Sequence, residues 1–400
     1  MPDTANYQVP DWLAEVLASS SPDIKAAIGR LADEYGCAKS EARKLFYDVT
    51  LSLNKRFFPP LSKMELTVTE QCNLACTYCF ETGMKSPKRM GASTAKKAVD
   101  LLFDHAKDGA DLFITFFGGE PLLNMPVVEE TVAYSNKRGN KTGHRLNFQM
   151  TSNGTLIDDS LAKHLSGLGI RVLVSLDGMG PTNDENRRYK SGKGSFDEIA
   201  KGIQALKPHQ PWIGVKMTVT PSNALELFEN VMGLRDLGIN QFIIGHATGM
   251  NWSIDKQDVF ERQLSQLKTW YLKSKPENFR IAEFDEPDEK QGFFGCSAAR
   301  STIAVSVDGA VSPCSKILGI ESERLIAKLG SVDEGLYCLA NRRDVLSCAQ
   351  LAESCREIGI ADTYRGGCVA SNYTDTGDLF SPSMADYEIS QVWARVGAIN

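Results

Sequence analysis

Residues 69–81, TEQCNLACTYCFE, place Cys72, Cys76 and Cys79 in a C-x3-C-x2-C array. A disulfide cannot use three thiols, and a closed tetrahedral metal site wants four protein ligands. No fourth cysteine or histidine lies nearby, and the next cysteine downstream is Cys296. The fourth position is therefore filled from far away or left open to something that is not protein. Three thiolates on one short loop can hold three irons of a 4Fe–4S cube and leave the fourth iron exposed, where a chelating substrate can bind. The plainer readings are a zinc knuckle lacking its fourth ligand and a surface loop of inert thiols.

Ten cysteines in 400 residues are too few for a disulfide scaffold. Cys37 stands alone, three fall at 72–79 and six between 296 and 368. In a reducing compartment that grouping reads as two metal-binding regions. The formal charge is −6, from 44 basic and 50 acidic residues, and no stretch combines repeated Lys/Arg with aromatics. Nucleic acid is a poor partner for such a chain. No run of 18 apolar residues is present, and the opening MPDTANYQVPDW has no basic or apolar signal region. The expectation is a cytoplasmic protein that does not engage a membrane.

The thiols need a frame. Residues 1–60 read as a helical unit: Ser21 is the expected cap, Pro22 the first helical residue, and Ile24, Ile28 and Leu31 fall at helical spacing before Gly36. A second helix follows in KSEARKLFYDVTLSLNKRFF and stops before Pro59 and Pro60. From Met64 strands alternate with helices: MELTVT, LFITFFG, RLNFQMTS, RVLVSLDG, WIGVKMTVT and QFIIGHA, each followed by a helical pattern or leading into one. Six such steps call for a parallel sheet with helices outside and polar residues gathered just after the strands. The division expected is 1–60, 61–275 and 276–400. In the last segment TIAVSVDGAVSPC reads as a hairpin around Asp308-Gly309, and SMADYEISQVWARVG as a final helix.

The cysteine loop, with the aromatic Tyr78 before its last cysteine, resembles the radical S-adenosylmethionine superfamily, and the likeness continues beyond it over residues 64–250. FFGGEP (116–121) resembles the family's GGE segment, which implies that Gly118, Gly119 and Glu120 meet the methionyl amine of the cofactor. TSNGT (151–155) implies Asn153 in the cavity. SLDGMGPTNDENRRY (175–189) resembles the Ser-x-Asp-Gly and Asp-x-x-Arg pair of the peptide- and protein-modifying branch. By that match Ser175, Asp177 and Arg187 belong to the cofactor site, with Arg188 an alternative to Arg187. Each segment alone has a bland reading as a turn or a surface pair. Their order after successive strands carries the resemblance. It implies an α/β fold, a partial (β/α)6 barrel of radical SAM type with a helical N-terminal unit and a C-terminal auxiliary iron–sulfur domain. It also implies an oxidoreductase: reduction of the 4Fe–4S cluster cleaves S-adenosylmethionine to a 5′-deoxyadenosyl radical, which abstracts hydrogen from substrate. A flavodoxin- or ferredoxin-like protein is the implied electron donor.

Residues 296–314 and 346–368 resemble the SPASM extension, which binds auxiliary 4Fe–4S clusters in peptide and protein maturases. Cys296, Cys314 and Cys368 match cluster ligands, and the fourth is Cys338, Cys348 or Cys355. Ile358 and Tyr364 stand where two further cysteines fall if Cys355 opens the run, and no cysteine follows Cys368. Six thiols cannot give four ligands to each of two cubes, so the expectation is one complete auxiliary cluster, with a second only if it has an open iron or a non-cysteine ligand. A zinc-stabilised tail is the plainer alternative.

Three functions compete. The first is a maturase acting on a ribosomally made precursor peptide and forming a thioether or carbon–carbon crosslink. The second is a sulfatase-type maturase forming formylglycine; those resembling this chain carry an Asp base after the second cysteine of the hairpin unit, where this sequence has Ser315. The third is a non-catalytic cluster-containing module that binds a peptide. The first accords best with these residues. Residues 1–60 lack the strand-rich start of a winged-helix peptide-recognition domain, which leaves leader recognition absent, supplied by a separate protein, or handled by this helical unit.

Overall fold

The computed structural model describes residues 9–20, 22–80, 86–274, 276–285, 297–318, 328–347, 349–360, 364 and 366–397. The chain forms two compact units, one from 1–71, 83–148 and 297–347, the other from 72–82, 149–296 and 348–400. The described residues form ten strands: β1 (Lys63–Thr69), β2 (Asp111–Gly118), β3 (Arg145–Ser152), β4 (Ile170–Ser175), β5 (Gly214–Val219), β6 (Gln241–His246), β7 (Arg280–Ile281), β8 (Thr302–Val305), β9 (Ala310–Ser312) and β10 (Gly330–Ser331).

In the first unit the order is β10-β9-β8-β1-β2, with the first half of β3 beyond β2. Period-2 alternation builds it: Leu112, Ile114 and Phe116 of β2 are fully buried, as are Met64, Leu66 and Val68 of β1. The helix Ala92–Asp104 belongs to the same core through Ala95, Val99 and Leu102. The other face of β1 carries Glu65, Thr67 and Thr69. The Asp-Gly hairpin expected near residue 308 is present as the antiparallel pair β8 and β9. Its first strand also pairs in parallel with β1, Lys63 opposite Thr302 and Leu66 opposite Val305. All four residues of β8 are buried, as suits a strand flanked on both edges and covered on both faces.

The N-terminal helices are Asp11–Ala18, Ile24–Tyr35 and Lys39–Phe57. The second begins later than the sequence suggests. Asp23, not Ser21, is its cap: the Asp23 carboxylate accepts the Ala26 N–H at 2.9 Å, and Pro22 lies before the helix. Ser21 is outside the described residues. Gly36 ends the helix in the left-handed conformation, φ 58°. These helices share one apolar core, including Leu13, Leu17, Leu31 and Phe46, with Tyr337 and Cys338. Each fully buried side chain of this kind contributes roughly 1.5–3 kcal/mol.

Arg342, in the helix Leu339–Ser347, is also fully buried in this unit. It donates to Asn54 Oδ1 at 2.7 Å, the Pro59 carbonyl at 2.8 Å and the Ala299 carbonyl at 3.1 Å. Asn54 in turn donates to the carbonyls of Thr50 and Leu336. One guanidinium thus satisfies acceptors from three stretches of chain.

In the second unit, β4, β5, β6 and β7 are parallel neighbours in that order, beside the last half of β3. The helices Phe196–Leu206 and Leu227–Asp236 follow β4 and β5 in the chain and supply Ile199, Ile203, Val231 and Leu234 to its core. The final helix, Met384–Val396, is capped by Ser383 and closed by Gly397, within the stretch the sequence marks. Its Trp393 lies edge-on to Phe260 with centroids 5.4 Å apart and donates its indole N–H to His246 Nδ1 at 3.3 Å.

Replacing Arg342 by Met, which keeps volume but removes the donors, is expected to destabilise the protein by ~3 kcal/mol through three stranded buried acceptors. Denaturant unfolding of the variant against the parent chain measures it.

Candidate functional site

The cysteine loop belongs to the second unit, where short-range geometry fixes its backbone. Ala75 N–H donates to the Arg188 carbonyl at 2.7 Å and Thr77 N–H to the Asn186 carbonyl at 3.0 Å. The Thr77 hydroxyl adds a bond to Asn186 Oδ1 at 2.7 Å. On the other side Asn73 donates to Thr155 Oγ1 and accepts from Asn153 Nδ2, both at 2.8 Å. Asn153 Oδ1 closes this network by accepting the Thr155 N–H and hydroxyl. The loop is thereby tied to the residues that follow β3 and to those around Arg187.

Two donors reach the thiols themselves. Asn153 Nδ2 lies 3.9 Å from Cys72 Sγ and Arg187 Nη1 lies 3.6 Å from Cys76 Sγ. Cys72, Cys76 and Cys79 are each half-buried, and no disulfide joins the described cysteines. Among the described residues no three Cys, His, Asp or Glu side chains converge on a common metal position. The loop fixes the backbone from which the three thiols project, one of them beside a cation and one beside an amide donor. That donor set suits an anionic iron–sulfur group: three soft ligands, with N–H groups aimed at sulfur to compensate charge.

Arg187 is held by Asp177, which is only 2% exposed. Asp177 Oδ2 accepts from Arg187 Nε at 3.2 Å and from the Tyr78 hydroxyl, while Oδ1 accepts the Thr218 N–H at 3.0 Å. The Arg187 guanidinium also sits 5.6 Å from the Tyr78 ring centroid. Burial pushes the Tyr78 phenol well up; Arg187 opposes the shift and Asp177 adds to it. Burial works against the charge on Arg187, yet Tyr78, Asp177 and Cys76 hold its pKa well above the ordinary value. Arg188, the alternative, is exposed and donates to the Asp184 carbonyl. Asp184 pairs with neither arginine's charge: its carboxylate accepts the Ser195 and Phe196 N–H groups at the start of the next helix. Ser175 is buried as the last residue of β4, opposite Lys216 of β5.

In the first unit the Gly-Gly-Glu segment follows β2. Gly119 N–H donates to the Thr69 carbonyl at 2.9 Å and Glu120 N–H to that of Gln71, the residue before Cys72, at 2.8 Å. Gly118 has φ 124°, and a side chain there would run into the Thr69 carbonyl; at Gly119 it would meet that of Gln71. Glu120 is fully buried, and its carboxylate accepts the Leu122 N–H at 3.2 Å. Asn124 Nδ2 bonds the carbonyls of Val68 and Met90.

The C-terminal cysteines are not alike. Cys314 ends the hairpin; the next residue, Ser315, donates its N–H to Glu65 Oε2 at 2.9 Å, so a carboxylate from β1 meets the backbone beside that cysteine. Cys338 is 1% exposed in the N-terminal helical core, and burial pushes its thiol up to about 12, with Lys328 pulling the other way. Cys355 and Cys368 belong to the second unit and border Tyr364, whose phenol is raised by burial and then by Asp386, Cys355, Cys368 and Asp375. Cys296 and Cys348 lie outside the described residues.

Sequence reasoning missed Asn73, Thr77, Thr155 and Asn186. The only signal for them is a short polar residue beside a thiol or beside Asn153, because their partners are far away in the chain. It also missed Glu283, buried just after β7, whose carboxyl is pushed up to about 7 by burial while backbone N–H groups and Lys216 draw it down.

A parallel α/β sheet with a three-thiol loop after its first strand and polar residues after the next three defines the class of fold. Residues 66–235 match the family model described as Radical SAM superfamily. The chain is 37% identical over 174 residues to the uncharacterized protein MJ0907 of Methanocaldococcus jannaschii, covering 44% of this chain and 58% of that one. It is 25% identical over 280 residues to the antilisterial bacteriocin subtilosin biosynthesis protein AlbA of Bacillus subtilis, covering 67% of this chain and 58% of AlbA. The chain thus spans under two thirds of these relatives. Among solved structures, native anSMEcpe with bound AdoMet and Cp18Cys peptide has a TM-score of 0.68 at 21% identity, over 84% of this chain and 98% of that one. Over most of its length the chain therefore shares the fold of that structure.

Replacing Asp177 by Asn keeps the shape but leaves the Arg187 cation buried without its carboxylate. A loss of about 3 kcal/mol is expected, read as a lowered denaturant midpoint.

Proposed function

We propose that the protein is a radical S-adenosylmethionine enzyme that modifies a ribosomally made peptide, forming a thioether or carbon–carbon crosslink. The observation that carries the reading is the thiol loop met at Cys76 by the Arg187 guanidinium and at Cys72 by the Asn153 amide. A surface loop of inert cysteines has no need of a buried cation so placed. The peptide substrate is supported by the likeness to a maturase fold with a peptide bound and to a bacteriocin biosynthesis protein. No helix among the described residues is long and apolar enough to cross a membrane.

Cys72, Cys76 and Cys79 would hold the 4Fe–4S cluster, and Gly118, Gly119, Glu120, Asn153, Ser175 and Arg187 the S-adenosylmethionine. The loaded site supplies one-electron cleavage of a carbon–sulfur bond and, through it, removal of a hydrogen atom from an unactivated carbon. The protein's own residues orient and shield. Asp177 fixes the Arg187 side chain, so the guanidinium keeps its place at the thiol without rearranging. Tyr78, its hydroxyl bound to Asp177, covers the pair from the loop side. Glu120 is the carboxylate offered to the cofactor's amine, from a backbone held close by two glycines. In the C-terminal part, Cys368 with Cys296 and Cys314 would hold an auxiliary cluster that accepts an electron or orients the peptide. A flavodoxin- or ferredoxin-like donor would supply the reducing electron, and leader binding, where the reaction uses it, would fall to the N-terminal helices or to a separate protein.

One observation favours a second reading, formylglycine formation. Ser315 replaces the expected Asp base, but the Glu65 carboxylate reaches the Ser315 backbone.

Anaerobic reconstitution is expected to load about eight irons as two cubes, with roughly four lost when Cys72, Cys76 and Cys79 are replaced by Ala. A precursor encoded beside the gene, incubated with cofactor and reductant, is expected to lose two hydrogens at a crosslink as 5′-deoxyadenosine forms. A formylglycine product supports the second reading instead, and turnover on a small molecule alone refutes both. Glu120→Gln is expected to weaken S-adenosylmethionine binding about tenfold, the scale of one charge-assisted hydrogen bond, with the iron count unchanged; equilibrium binding and iron analysis check it.

A further inference from the structure

Tyr364 is 6% exposed, and its hydroxyl oxygen has no hydrogen-bond partner among the described residues. Leaving a phenol O–H buried without an acceptor costs about 1–3 kcal/mol, so such a group is the mark of a missing partner. The ring is fixed rather than loose. It meets Tyr387 edge-on with centroids 5.3 Å apart, and the hydroxyl lies so close over Gly367 that any side chain there would collide with it. Backbone bonds link the segment: Tyr364 N–H donates to the Ile360 carbonyl and Ile360 N–H to that of Cys355, both at 2.9 Å. Gly367 precedes Cys368. The oxygen therefore lies over the residue before Cys368, on a segment that backbone bonds tie to Cys355, and both cysteines are candidates for the auxiliary group.

We propose that the Tyr364 hydroxyl donates a hydrogen bond to a sulfur of the auxiliary iron–sulfur group held at Cys368, with Cys355 as its fourth cysteine, and so sets that group's reduction potential. The inference rests on the auxiliary cluster proposed above. A phenol is neutral at pH 7 and is a donor in that state, whereas a thiolate or a bridging sulfide offers an acceptor without requiring another protein group. Hydrogen bonds to the sulfurs are among the determinants of an iron–sulfur potential, and a donor favours the reduced, more negative state. Asp386 and Asp375 also act on Tyr364, and neither is a hydrogen-bond partner of it.

The test uses the full chain, reconstituted anaerobically, with Tyr364→Phe compared with the parent. Iron and acid-labile sulfide are measured, and each cluster's midpoint is followed by potentiometric titration with electron paramagnetic resonance. The expected result is the parent's iron content, a more negative midpoint for the auxiliary cluster, and no change at the Cys72–Cys76–Cys79 cluster. Pulsed resonance after exchange into D2O should detect one exchangeable proton on the auxiliary cluster that is missing in Tyr364→Phe. Unchanged midpoints with full iron would overturn the contact. Loss of iron from Tyr364→Phe would overturn the donor role and make Tyr364 a ligand. A parent chain holding only about four irons would refute the auxiliary cluster itself, and this inference with it.

Discussion

The site depends on one buried carboxylate. Asp177 collects the Arg187 guanidinium, the Tyr78 hydroxyl and the Thr218 N–H, from three separate stretches of the chain. A buried ion pair of this kind adds little net stability over an apolar replacement, because desolvation offsets most of the attraction. What it does provide is position. A long arginine side chain has many rotamers, and only a fixed acceptor keeps its Nη1 directed at Cys76. The loop's backbone is then registered on the same segment through the Ala75–Arg188 and Thr77–Asn186 bonds. Charge, loop and strand end are set together, so a change at one of them is felt at the other two.

A steric constraint plays the matching part in the first unit. β1 and β2 run in register until Thr67, where the pairing slips and Gly118 comes opposite Thr69. Beyond that point the chain after β2 bonds to carbonyls of residues 69–71 so closely that neither glycine position has room for a Cβ. The segment leading into Cys72 is thereby held by backbone contacts rather than by side chains. Such contacts fix the chain path directly, with no long side chain between, which suits a segment that has to present a loop in one place.

The strands were legible because burial imposes period 2 on β1 and β2 and near-continuous apolar runs on β8, and both patterns survive in the residue types. The motif order was legible because parallel sheets put polar residues after strands. Other features left no local trace. The partners of Asn73 and Thr77 lie at positions 155 and 186, and no spacing rule joins them. Whether Arg187 or Arg188 turns inward depends on Asp177, ten residues back across a short helix. The cap at Asp23 competed with Ser21, and two capping residues so near each other in sequence differ only in which side chain finds the helix N–H. The pairing of β8 with β1 joins residues far apart, and a four-residue apolar strand does not say which edge it will take.

The cysteines after residue 296 show why residue type alone does not define a ligand. A thiol must lose its proton to bind iron, and the environment decides how easily. Cys338 stands among leucines and Phe46, where the apolar surroundings favour the neutral thiol and the side chain acts as packing. Burial raises the Cys355 thiol as well, but Cys355 and Cys368 border Tyr364, a polar group with no hydrogen-bond partner of its own. The same residue type thus meets two different surroundings in one stretch of sequence. The difference comes from the N-terminal helices, which close over Cys338, and whose apolar faces sit some 300 positions earlier in the chain than the thiol they bury.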